Sequence, residues 1–94
     1  MANDVLSFRV KSPEILFCFQ MLYQNQLISN EQKNQLTKAY QNCLQKNFQS
    51  FHDLNVIYST LGAVLEQDLE PFVEQKTQSV MDIFSVLFEK ELDS

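Results

Sequence analysis

His52 beside Asp53, the thiols of Cys18 and Cys43, and the carboxylates of Glu66, Glu70 and Glu74 are the side chains whose types could do chemistry. A histidine next to an aspartate suits general acid–base work, but such work also needs a nucleophile or a substrate proton within hydrogen-bond reach. Cys43 precedes His52 by more than two helical turns and is out of reach on one helix. His52 therefore reads as an exposed or capping residue. The three glutamates recur every fourth position, the spacing of a carboxylate metal edge, yet Pro71 interrupts their register and no partner helix supplies a histidine. They read as a solvated acidic edge.

The chain has no Cys-x-x-Cys, no His-Glu-x-x-His and no Asp/Asn-rich loop with a central glycine. A single glycine rules out a glycine-rich phosphate loop. The expectation is a protein that is not an enzyme, with no catalytic residue, cofactor or metal.

The elements that would position any site follow from composition. Of 94 residues, 45% are hydrophobic and eight are phenylalanine, against two prolines, so the chain is too apolar for disorder and too poor in turn formers for many short strands. Helices are the default. A chain of this size buries only about 60 to 65% of the surface its unfolded state exposes, so partners or self-association are a usual remedy.

The net charge of -5 is unevenly spread: residues 1–46 hold five basic and three acidic side chains, and residues 47–94 hold two and nine. The halves are thus +2 and -7. This argues against a nucleic-acid partner, which requires a basic stripe, and mildly favours a basic protein surface or antiparallel self-association. Acidic faces also keep an apolar protein soluble. The two cysteines fall on apolar helix faces and are expected to be buried and reduced in a cytoplasmic protein. The longest apolar run, Ile15 to Phe19, is far short of the ~20 residues of a membrane span.

Along the chain, Leu6, Phe8 and Val10 alternate with Ser7, Arg9 and Lys11, the period of a strand, so residues 1–12 are expected as an extended arm or short strand. Ser12-Pro13-Glu14 predicts a helix start, and Ser29 to Gln32 reads as a capping box opening a second helix. The prediction is an all-α antiparallel bundle of three or four helices, about 13–28, 30–50, 53–69 and 71–92, forming one domain over 13–94. Ser50 or Asp53 caps the third helix, Gly62 permits a close helix approach, and Pro71 breaks or kinks the last. Asn47 is the polar intruder on the apolar half of the second helix.

The first helix is apolar on two sides. Ile15, Leu16, Phe19, Leu22, Tyr23 and Leu27 form a broad face, and Phe17, Met21 and Ile28 a narrower stripe roughly opposite. Such a helix must be covered on both sides. Phe17, Met21 and Ile28 are therefore expected at, or just beneath, a protein interface, with Leu6 and Phe8 of the arm joining them. The functional expectation is a protein-binding module, an adaptor, assembly factor or chaperone-like regulator, that forms a homodimer or is held in a heteromeric complex. The alternative is an acidic inhibitor or immunity-type protein, phage or defence related, that blocks an enzyme through the acidic second half.

Overall fold

The computed structural model describes the backbone of residues 2–46 and 49–93 and the side chains of residues 12–46 and 49–86. Four helices follow in order: α1 (Ala2–Gln24), α2 (Asn30–Gln45), α3 (Phe51–Leu65) and α4 (Pro71–Asp93). Each packs on its neighbours in sequence, and α1 also packs on α4, which closes an all-α antiparallel bundle. The radius of gyration, 12.6 Å, is that of a chain folded on one core, for which about 12.4 Å is expected.

The helix ends are written in local chemistry. At the end of α1, Gln26 takes a left-handed φ of 61°, and two backbone bonds close the turn, Gln26 N to the Tyr23 carbonyl and Leu27 N to the Leu22 carbonyl, both 3.0 Å. This is the Schellman arrangement, which satisfies carbonyls a helix end leaves orphaned. The chain turns so early that Ile28 lies in the joint rather than on α1. The capping box then opens α2: Gln32 N donates to Ser29 Oγ at 3.1 Å and Ser29 N donates to Gln32 Oε1 at 2.9 Å.

Pro71 restarts the chain and does not kink it. It occupies the first position of α4, where no N–H is needed, and Glu74 N closes the first turn on the Glu70 carbonyl at 2.9 Å. Helix α3 stops at Leu65, short of the expected 69, where the Gln67 N–H closes a tighter turn on the Val64 carbonyl at 3.0 Å. Helix α2 likewise ends at Gln45 rather than 50, with the Lys46 N–H turned onto the Asn42 carbonyl. Asn47 lies outside the described residues.

At the N-terminus, the expected start at Ser12 and Pro13 meets helical backbone from Ala2 onward, with Pro13 inside the helix. Ser12 is not a cap here, because its hydroxyl is engaged with Tyr40 across the bundle. Helical backbone also satisfies residues 2–12 locally, whereas a lone strand has no ladder partner in a helical chain. The side chains of residues 2–11 lie outside the described residues.

The core is built around Tyr40. Its ring meets Phe19 of α1 edge-on (centroids 6.5 Å, 81°) and Phe84 of α4 in the same way (6.1 Å, 87°), the edge-to-face geometry that aromatic quadrupoles favour. Around this tripod lie Ile15, Leu22, Leu36, Leu54, Ile57, Leu61 and Val80, all fully buried. Gly62 is not where helices need to touch. A methyl group added there would meet only the Met81 Cε atom, at an ordinary 3.5 Å.

Candidate functional site

The residues that could do chemistry are dispersed. Cys18 and Cys43 are free thiols buried in the core. Burial pushes Cys18 up to about 11, with the Thr77 hydroxyl acting in the opposite sense and Glu14 adding to the rise. Burial, reinforced by the negative charge of Asp53, pushes Cys43 up to about 12. Such thiols are poor nucleophiles at neutral pH. Thr77 itself is fully buried, and its Oγ1 has no hydrogen bond of ordinary geometry. The Cys18 thiol beside it is a weak and long-range partner.

His52 lies with Asp53, Lys38, Asn42 and Gln35 around an open groove of about 420 Å³ between α2 and α3, floored by Ala39 and Val56. No serine, threonine or cysteine lines it to serve as a nucleophile. Asp53, the one buried carboxylate among the described residues, is structural. It accepts a 2.5 Å hydrogen bond from Ser50 Oγ and a long one, 3.5 Å, from Asn42 Nδ2, and the Ser50 bond above all holds its carboxyl below the usual carboxylate range. Ser50 stands at the cap position of α3 but spends its hydroxyl on Asp53 rather than on a backbone N–H. Glu66, Glu70 and Glu74 are all exposed, and among the described residues no group of three or more His, Cys, Asp or Glu could hold a metal ion.

The apolar stripes of α1 carry the remaining interest. Ile15, Cys18, Phe19, Met21 and Leu22 turn inward. Of the five residues expected at an interface, Met21 (5% exposed) and Ile28 (6%) belong to the chain's own core, Phe17 stays open at 53%, and the side chains of Leu6 and Phe8 lie outside the described residues. Ile28 is covered because the early turn folds it back over the bundle end. Leu16 (39%) and Tyr23 (37%), which share the broad apolar face of α1 by periodicity, are at the surface. Their seven-residue spacing would have allowed a second exposed stripe, but only the positions of α2 and α4 decide which side faces in.

The neighbours orient α1. Lys33 Nζ of α2 sits 4.7 Å above the Tyr23 ring, so Leu16 and Tyr23 mark the flank toward α2. Phe17 projects about 120° round the helix from Tyr23, toward α4. Glu14, one turn earlier, shares that flank and is exposed.

On α4, Met81 reaches Gly62 of α3, and on the opposite side of the helix Phe72, Lys76, Ser79, Ile83 and Val86 recur at alternating steps of four and three. Phe72 and Val86 are each 55% exposed. Lys76 Nζ lies 5.8 Å from the Phe72 ring centroid. Three large exposed apolar side chains, Phe17, Phe72 and Val86, thus lie along the one face of the bundle that α1 and α4 share.

Comparison with protein families, with curated proteins and with solved structures finds no match to this chain. Among the described residues no helix is long and apolar enough to cross a membrane.

Proposed function

We propose that the protein is a non-enzymatic interaction module that binds another polypeptide through apolar side chains left open on α1, in the manner of an adaptor, assembly factor or chaperone-like regulator. The observation that carries this reading is Phe17, more than half exposed on a helix whose opposite side is fully committed to the core. Exposed aromatic side chains grouped on one surface are the usual anchors of protein interfaces. Completing the burial of a half-open phenylalanine contributes about 1 kcal/mol by area alone, and the surrounding face adds to it. The inert thiols and the histidine without a nucleophile support binding over catalysis.

The test is a photo-crosslinking side chain placed at position 17 in the full-length protein, with one at the exposed Lys38 as control. A discrete adduct from position 17 and none from position 38 is the expected result. Equal and diffuse labelling from both positions removes the reading.

A second reading, an inhibitor acting through its acidic half, draws on the exposed carboxylates Glu66, Asp68, Glu70 and Glu74 around the turn into α4. Salt separates the two. Binding through carboxylates collapses as ionic strength rises, and binding through Phe17 persists.

A further inference from the structure

We propose that the seam between α1 and α4 is an opening built into the bundle: it parts while the α1–α2 and α3–α4 hairpins each stay folded, and so uncovers the inner side of α1 without unfolding the chain. The reason is Thr77. It is fully buried on α4 beside Cys18 of α1, and its hydroxyl has no hydrogen bond of ordinary geometry. A hydroxyl so placed has given up water and received no full bond in exchange, so the closed seam bears a cost that parting removes.

The apolar side chains next to Thr77 do little to offset that cost. Val73 and Val80 stand one turn either side of it and are buried. With Cys18 opposite, this stretch of the seam is built of small side chains, each of which buries less area than an aromatic ring does.

Helix α1 is tied to α2 along its described length. The Ser12 and Tyr40 hydroxyls meet at 2.6 Å, Phe19 lies edge-on to the Tyr40 ring, and Lys33 sits above Tyr23. The joint at 25–29 is closed by its own backbone bonds. On the other side of the seam α4 stays with α3, where Met81 reaches Gly62. The packing of α2 on α3 is the spine, and the Tyr40–Phe84 ring pair is the latch that parts. Opening of one unit while the rest stays folded is an ordinary mode of small domains. The two thiols sit on different sides of this motion. Cys18 lies in the seam, whereas Cys43 of α2 is close enough to Asp53 of α3 to feel its charge, on the side that stays closed.

The test is labelling of the full chain with a thiol reagent in native buffer, each cysteine read by peptide mass spectrometry and scaled to its rate in the unfolded chain. Both react slowly and full unfolding releases them together, but in native buffer Cys18 is expected to react at least tenfold faster than Cys43. Its rate should also climb less steeply with low urea, because partial opening exposes less surface than unfolding does. Thr77→Val keeps the shape of the side chain and removes the hydroxyl, and is expected to slow Cys18 at least threefold with helical circular dichroism unchanged. Equal scaled rates with equal urea dependence, or a faster Cys43, overturn the proposal, as does a Cys18 rate that Thr77→Val leaves unchanged or raises. The urea comparison on the unaltered chain decides by itself should the variant fold poorly.

Discussion

The hydroxyls of Ser12 and Tyr40 lie 2.6 Å apart, joining α1 to α2 at the point where Pro13 deprives α1 of a backbone bond. Proline inside a helix removes one N–H donor and crowds the preceding turn, so this side-chain bond fastens the helix where its own ladder is weakest. Tyr40 is otherwise fully buried between Phe19 and Phe84. Tyr40→Phe keeps the ring contacts and loses the bond, and is expected to cost about 1 kcal/mol in urea unfolding. Tyr40→Ala removes the hub itself and is expected to cost 3 to 5 kcal/mol, roughly the range for large aromatic truncations.

Gly62→Ala is expected to stabilise the protein. The added methyl meets only the flexible end of Met81 at 3.5 Å, and alanine in a helix interior is favoured over glycine by about 1 kcal/mol. A gain of roughly 0.5 to 1 kcal/mol by chemical denaturation is the expected result. A loss would show that α3 and α4 need the glycine to approach.

The Asp53 carboxyl is held below its ordinary range, chiefly by the Ser50 hydroxyl. A depressed folded-state pKa contributes stability that is present above the unfolded value, about 3.9, and is lost as pH falls through the folded one. Asp53→Asn is therefore expected to lower stability by about 1 kcal/mol at pH 7, where it also removes a negative charge from the first turn of α3. The difference from the wild type shrinks below pH 4. Unfolding curves at pH 7 and pH 3 provide the check.

The thiols lead to the opposite pH dependence. With Cys18 and Cys43 raised from 9.0 to about 11 and about 12, the folded state holds its thiol protons after the unfolded state has released them. Their contribution is fully present below about pH 8.5 and is lost as pH climbs toward those raised values. At pH 8 the native protein is expected to resist a thiol-specific reagent, and denaturant to release both thiols at once. Rapid labelling of the native protein would contradict the burial of these two side chains.

Much of the fold was legible from short words in the chain. Ser29 and Gln32 announced α2 because a capping box is a local device, and Glu70-Pro71 announced α4 because proline suits a first turn. Leu36, Tyr40 and Cys43 of α2 and Leu54, Ile57 and Leu61 of α3 recur at the 3.6-residue period of one helix face, and all six are buried. Periodicity does not say where an apolar cylinder faces, so on α1 it grouped Leu16 and Tyr23 with Ile15, Phe19 and Leu22 on one broad face and set Met21 on the narrower stripe. The structure leaves Leu16 and Tyr23 at the surface and buries Met21 because α2 and α4 approach from particular sides. Ser12 misled for a similar reason: its partner is 28 residues away. Thr77 could not have been read as core at all, since a threonine at a buried position is invisible without its neighbours. Of the candidate site, Phe17 was legible as surplus apolar surface, while Phe72 and Val86 gained meaning only when α4 was seen beside α1.

The joint between α1 and α2 stops one helix and caps the next within five residues, 25–29, using only groups that are near neighbours in the chain. Loop closure here is short and cheap in entropy, so this hairpin is placed to form early, whereas docking of α4 on Tyr40 spans 44 positions and waits for the rest. The order of assembly should therefore run from the α1–α2 corner outward. Refolding rates are expected to fall more for Ser29→Ala than for Phe84→Leu when each is scaled by its own loss of stability.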